Sequence, residues 1–478
     1  MKKFMRSFPT WPAMPAMPAI AVVIAVALAM LTAGCAVGPN YQRPSTPEAS
    51  AYKESGVWVS AAPADALERG PWWQLFNDPV LNDLAARVEV SNQNVAAAVA
   101  GYAQARALVS QQNAALFPSV SLGGSINRAA NPVNIVNSNQ VNLGAAWAPD
   151  VWGRLGRAVD GASALAAASA ADLASAKLSA QGALAVSYLS LRQQDAQLAL
   201  LASTVQVYER ALDITQNRYA AGIVAKTDVL QAQTQLANAK AQAAGLKRQR
   251  AQFEHAAAVL TGQLPSSFDI AVTPDWSPQV PDVPLALPST LLQRRPDIAA
   301  AERRVAAANA QIGIAQSAYF PSLTLNASAG STSNRLADLF KASTGVWALG
   351  LSAAQVLFDA GAIGAKVDSA RAAHAQSIAV YRQAVLQGFQ NVEDQLTASA
   401  ALKDQAQFNS DASQAASQVE AQLLNRYRSG QISFTDVITA QTTALNARIS
   451  LGQVLLNRQT TAVALIQALG GGWQAERP

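Results

Sequence analysis

The chain has few of the residues on which most enzymes and soluble domains depend. Its 478 residues include one cysteine, Cys35, and two histidines, His255 and His374. A single Cys excludes a disulfide framework, and neither His has a Cys or His partner at metal-ligand spacing. All five methionines (Met1, Met5, Met14, Met17 and Met30) precede Cys35, so the rest of the chain offers no thioether to a soft metal ion. No nucleophile–base pair stands out. Gly470-Gly471-Gly472 follows a predicted helix, whereas a phosphate cradle opens one. Charged residues make up only 14%. Past the N-terminus, Lys and Arg alternate with acids in stretches such as AERRV and YERALD, the pattern of a solvated helix surface and not of a nucleic-acid footprint. Of the formal charge of +5, Lys2, Lys3 and Arg6 supply three, leaving +2 for residues 35–478.

Those three basic residues precede an apolar run, Ile20 to Leu31, and then Thr32-Ala33-Gly34-Cys35. About a dozen apolar residues fall short of the roughly 20 that a membrane-spanning helix needs, so residues 1–34 read as an export signal. Small residues before the Cys look like a bacterial lipoprotein signal, with Thr32 where Leu is commoner. Cleavage before Cys35, diacylglycerol on its sulfur and an acyl group on its nitrogen are expected, with no other cofactor. Ala36, in place of the Asp that retains such proteins in the inner membrane, favours the outer membrane. The alternative is a plain signal followed by an unmodified Cys.

Proline is missing where it matters most. None lies between Pro149 and Pro265, or between Pro321 and Pro478, while six crowd into Pro265 to Pro288. Both deserts are rich in Ala, Gln and Leu, good helix formers. In the first, Leu184, Leu191, Leu198, Val205, Leu212 and Tyr219 recur every seven residues, the coiled-coil signal. A helix over Leu155 to Tyr219 would be about 100 Å long, and a matching one is expected over Gly364 to Tyr427, with Val385, Phe389, Val392 and Leu396 as its apolar stripe. The chain also repeats itself. Asn217–Lys240 and Asn425–Arg448 are identical at 12 of 24 aligned positions, an offset of 208 residues, which implies two domain-sized halves.

The spacing gives residues 35–70 as an extended arm, 71–264 and 291–470 as the two repeats, 265–290 as a Pro-rich linker, and 471–478 as a tail. Asn77 or Asp78 should cap a helix starting at Pro79. Each repeat carries one hairpin of alternating apolar and polar residues, about 118–148 and about 322–353. Segments of this length fit outer-membrane strands, apolar outward and polar inward; four strands of a soluble sheet is the other reading. Four strands cannot close a membrane barrel and an open edge cannot face lipid, so at least two chains must share one barrel.

CAVGPNYQRP (Cys35 to Pro44), WWQLFNDPVLNDL (Trp72 to Leu84), WAPDVWGRL (Trp147 to Leu155), Leu291 to Leu325 and LGGGW (Leu469 to Trp473) resemble the TolC-like outer-membrane efflux proteins, specifically NodT-type lipoproteins. The resemblance implies a mainly α fold with a small β part. Very long coiled-coil helices would form a periplasmic α-barrel, and a homotrimer would give four strands per protomer to a 12-stranded transmembrane β-barrel. It further implies a passive exit duct for small molecules, in contact with outer-membrane lipid, served by a periplasmic adaptor and an inner-membrane pump of the resistance-nodulation-division class. A type I secretion channel for proteins and a structural coiled-coil envelope lipoprotein are the alternatives.

In the family, the duplicated turn is the periplasmic gate and tip. Gly222 and Gly430 suit the left-handed conformation that ends a helix, and Thr227, Asp228, Thr435 and Asp436 suit the start of the next. Capping is one reading of these residues. The resemblance adds a ring of Asp436 carboxylates at the constriction, and a tie from Tyr427 to Thr227 and Asp228. Ile432 and Thr439 stand where relatives carry an Arg and a second carboxylate, which implies a less ion-paired gate; Arg426 or Arg428 is the substitute to look for. Ile223 against Gln431, and Lys226 against Phe434, are the differences expected to face an adaptor.

Overall fold

The computed structural model describes residues 37–46, 52–53, 71–130, 132, 135–281, 283 and 294–471. Cys35, the signal segment, much of the arm, part of the linker and the end of the tail lie outside the described residues. The element order is α1 (Pro79–Ser91), α2 (Gln93–Ala114), β1 (Ser119–Ala130), β2 (Ile135–Trp147), α3 (Arg154–Ala220), α4 (Lys226–Leu260), α5 (Pro296–Ser317), β3 (Ser322–Ser333), β4 (Gly345–Ala354), α6 (Ala362–Arg428) and α7 (Phe434–Ala468). The helices bounded by the proline deserts, α3 and α6, are 67 residues each. The chain divides into two compact units, and each draws on both sequence halves.

The unit built from residues 1–43, 106–164 and 305–376 holds the strands. They form one antiparallel sheet of order β1-β2-β3-β4. Rows such as Leu122↔Leu143, Leu143↔Ala329 and Ala329↔Trp347 place the apolar residues of both hairpins on one face. Ser121↔Gly144, Gly144↔Ser328 and Ser328↔Ala348 lie on the other. Every residue of β4 is exposed, including Trp347, Leu349 and Leu351, so the chain alone leaves an apolar face uncovered. Among the described residues, no strand lies beside the outer edges of β1 and β4.

Three of the sequence stretches named above meet at the foot of this sheet. Trp152 stacks on Phe320 with ring centroids 4.8 Å apart, and its Nε1 donates to the Pro321 carbonyl at 2.7 Å. The arm lies across them without helix or strand. Val37 N donates to the Trp152 carbonyl (3.1 Å), Arg157 to Asn40 Oδ1 (2.9 Å), and Asn309 to the Pro39 carbonyl (3.0 Å). Gly38 has φ +103°, and a Cβ there would sit 2.5 Å from the Gly313 Cα. The Gly of CAVGPNY therefore meets a close backbone approach that no side chain permits.

The second unit (residues 44–105, 165–304 and 377–478) holds the main core. Asp78 is the cap chosen from the two candidates: its Oδ1 accepts from Val80 and Leu81 N, with Pro79 in the first turn. Asn77 instead ends the preceding turn at φ +52°. Trp72, Trp73, Phe76, Leu81 and Val88 pack with Leu184, Tyr188, Leu191, Val392, Leu396 and Val463. Leu184 and Leu191 of the heptad are fully buried, but Tyr219 is 45% exposed. Towards Ala220 the buried seam within the chain shifts to Leu201, Thr204, Tyr208, Ala211 and Thr215, which keeps the alternating three- and four-residue spacing on a neighbouring stripe. Arg295 donates to Asp297 and to the Ala468 carbonyl at 3.0 Å, clasping the end of α7. Gly470 follows at φ +96°, where a Cβ would strike the Arg294 carbonyl.

Candidate gate at the helical tips

The two turns of the repeat are near-copies in backbone as well as sequence. Gly222 (φ +72°) and Gly430 (φ +78°) each end a 67-residue helix in the left-handed conformation. Ile223 N bonds to the Arg218 carbonyl at 2.8 Å, and Gln431 N to the Arg426 carbonyl at 2.9 Å. These are the six-to-one bonds that satisfy otherwise unpaired terminal carbonyls. A Cβ at Gly222 would meet no atom within 4 Å, so the requirement for glycine there is conformational.

The copies differ in how the next helix starts. Ser433 caps α7: its Oγ accepts from Asp436 N, and its own N donates to Asp436 Oδ2 at 3.2 Å, a reciprocal capping box. Ser433 Oγ also donates to Asp436 Oδ2 at 2.8 Å. The corresponding residue of the first copy is Ala225, which has no side chain to cap with. Thr227 and Thr435 are therefore not caps. They lie one residue inside their helices, Thr435 with its hydroxyl 3.5 Å from Gln231 Oε1. Asp228 sits in the first turn of α4, where a carboxylate meets the positive end of the helix dipole. Asp436 is exposed and held by Ser433, so its capping role is real and its carboxylate still faces solvent.

Tyr427 departs from expectation. Within the chain its hydroxyl reaches neither Thr227 nor Asp228; it lies 3.5 Å from Thr215 Oγ1. The ring is 4% exposed and packs on Phe434 at 5.3 Å between centroids, with Val437, Ala211 and Ala232 around it. Phe434 is itself 3% exposed, so this difference between the copies serves packing, while Ile223, Lys226 and Gln431 remain exposed. Ile432 fits the same apolar cluster, which explains an aliphatic residue at that place.

The cation that lies against Tyr427 is Arg218, from the first copy of the repeat. Its guanidinium lies 4.8 Å over the Tyr427 ring, and Nη1 donates to the Tyr427 carbonyl at 3.3 Å. The repeat held the only hint, since Arg218 aligns with Arg426 at the 208-residue offset. Gln235 links α4 to its neighbours by donating to Tyr208 Oη (3.1 Å) and Thr442 Oγ1 (3.0 Å).

An open sheet with an uncovered apolar face, joined in sequence to long helices that end in duplicated glycine turns, matches one known architecture. The sequence pattern described as "Outer membrane efflux protein" covers residues 84–263 and 287–471. The chain belongs to the outer membrane efflux protein family. This efflux protein is 32% identical to the toluene efflux pump outer membrane protein TtgC of Pseudomonas putida, over 93% of this chain and 94% of that one. It is 30% identical to the pyoverdine export outer membrane protein OpmQ of Pseudomonas aeruginosa, over 88% and 91%. Among solved structures it superposes on the open state of the Neisseria gonorrhoeae MtrE outer membrane channel (TM-score 0.84, 28% identity, 92% and 99% covered). It also superposes on the outer-membrane channel OprN (TM-score 0.81, 29% identity, 92% and 100% covered). Efflux protein, outer-membrane channel and mainly α fold with four strands per chain thus agree.

Proposed function

We propose that three copies of this chain form the gated exit duct of a tripartite efflux system, passively conducting small molecules received from a periplasmic adaptor and an inner-membrane resistance-nodulation-division pump. The observation that carries the reading is the sheet. Among the described residues neither edge has a partner strand, and one face is apolar and exposed, so closure with further copies inside lipid would satisfy edges and face together. Three copies give twelve strands. The relatives' names, toluene efflux and pyoverdine export, differ so widely in cargo that substrate choice fits the pump better than the duct. Lipidation at Cys35 would add a second hold on the membrane, close to where Val37 docks on Trp152.

In this reading the tips meet about the three-fold axis and Asp436 forms a ring of three carboxylates, a site for multivalent cations. Asp436→Asn should raise single-channel conductance and weaken block by a trivalent cation about tenfold or more, as roughly 1.4 kcal/mol of lost attraction requires. Because Asp436 also belongs to the capping box, Ser433→Ala is the control: it removes the cap and keeps the carboxylate. Unchanged block in Asp436→Asn, or equal relief in Ser433→Ala, would remove Asp436 from the constriction.

A further inference from the structure

Arg128 is the one ionisable side chain in β1, β2, β3 and β4. Register places it on the apolar face, in line with Leu122 and Ile126, which are 76% and 70% exposed. Both ends of each hairpin run into helices, so Arg128, near the loop end of β1, lies at the far end of the sheet. From Ser119 to Arg128 is nine residues, about 30 Å along a strand, or about 23 Å of height at a tilt near 40°. That matches the height of an apolar band of about 25 Å and puts Arg128 at its outer border. A cation there can extend its head to the interface, which it could not do at mid-membrane.

The same end of the sheet is otherwise basic and aromatic. Trp347, two residues from the loop end of β4, is 81% exposed, and Leu336 and Phe340 in the β3–β4 connection are 59% and 84% exposed. That connection is built, not slack. Leu339 is buried, Ser331 Oγ donates to Thr344 Oγ1 at 2.8 Å, and Thr344 Oγ1 donates to the Lys341 carbonyl at 2.7 Å. Arg335 is exposed, and Lys341 pairs with Asp338 at 2.6 Å. Arg128, Arg335 and Lys341 against Asp338 leave this end at +2 per chain. Closing the barrel seats the free edge of β4 against the free edge of β1 of the next copy. Arg128 and Trp347 each lie two residues from the loop end of their strands, so with those ends level each seam would bring the Arg128 of one copy near Trp347 and Phe340 of another.

Resting on the trimeric duct, we infer that each seam is a binding surface for a phosphorylated glycolipid of the outer leaflet. Arg128 and Arg335 take its phosphates, while Trp347, Phe340 and Leu336 lie along its acyl chains. Phospholipids of the inner leaflet are at the wrong end of the strands.

The test titrates full-length trimer in neutral detergent with bisphosphorylated lipid A and with its dephosphorylated form. Wild type should bind the phosphorylated form about tenfold or more tightly, as two interfacial arginines would confer. The Arg128→Gln/Arg335→Gln double variant should lose that preference, and Arg128→Lys/Arg335→Lys should keep it. Equal binding of the two lipids by wild type, or a preference that survives the glutamines, overturns the surface. Single-channel conductance of the same wild-type sample separates the readings. A conducting protein with no lipid preference loses only the lipid surface, and a protein that does not conduct loses the duct as well.

Discussion

Arg218 shows what one residue adds when a helical turn is duplicated. It and Arg426 are the same residue in two copies of Asn-Arg-Tyr, but only the second Tyr is buried. Tyr427 is 4% exposed and Tyr219 45%. Arg218 is thus the member of the pair that spans between the copies, over the Tyr427 ring and onto its carbonyl. A cation–π contact of this kind is worth about 0.5–1 kcal/mol, and a hydrogen bond to a carbonyl about 1 kcal/mol. Arg218→Gln should therefore loosen the clasp between the turns by about 1–2 kcal/mol and raise the open probability of single channels several-fold. Arg218→Lys, which keeps the charge and loses the planar fork, should fall between. An open probability equal to wild type in Arg218→Gln would show that the clasp is ornamental to gating.

At the level of elements, the helices are tied to the linker by a buried ionic network. Asp195, with its side chain fully buried on α3, accepts from Arg192 Nη1 (3.1 Å) and Arg250 Nε (2.6 Å), and from Thr273 N of the linker. Arg192 and Arg250 also donate to the Ala271 and Ile270 carbonyls, and Glu254 accepts from Ile270 N at 2.8 Å. Tyr188 extends the chain by accepting from Arg192 and donating to Asp78 Oδ2 at 2.7 Å, so the cap of α1 belongs to the same network. Asp195→Asn leaves Arg192 without its carboxylate and Arg250 with Glu254 alone (3.2 Å), and should cost about 3 kcal/mol, seen as a lower Tm of the detergent-solubilised protein. Burial, and then the hydrogen bond to Asp78, push the Tyr188 hydroxyl well above its ordinary pKa of 10.0. Burial likewise raises Tyr52 to about 12. The unfolded chain releases these protons above about pH 10 while the folded chain keeps them. Stability from both is whole below pH 10 and falls as pH rises towards 12; Tyr188→Phe should flatten that decline. The helices themselves were legible in sequence, since α3 and α6 begin and end within two residues of the spans read from proline and alanine. Those signals are local. Whether Tyr427 would meet Thr215 or Asp228, and that Arg192 would meet Ala271, depends on the register between helices far apart in sequence, which no single stretch encodes.

At the scale of the whole molecule, charge is distributed unequally between the sheet and the helical tips of the proposed duct. Opposite the face that carries Arg128, the sheet presents Ser121, Ser125, Asn127, Gln140, Asn142, Asn326, Ser328 and Thr332 and no ionisable group. A face of hydroxyls and amides holds water without favouring either sign of charge, so in the proposed trimeric duct we assign ion preference to the tips, where Asp436 is exposed. The assignment can be transplanted. Asp436→Asn should bring the cation-to-anion permeability ratio close to one. Ser328→Asp, placed on the bore face between Gly144 and Ala348, should restore a cation preference of several-fold in the Asp436→Asn background, because three symmetry-related carboxylates then line a narrow aqueous passage. Reversal potentials in asymmetric salt measure both. A strong cation preference surviving in Asp436→Asn alone would place the selecting charges elsewhere in the helical duct, whereas no response to Ser328→Asp would mean that this face of the sheet does not line the path of the ions.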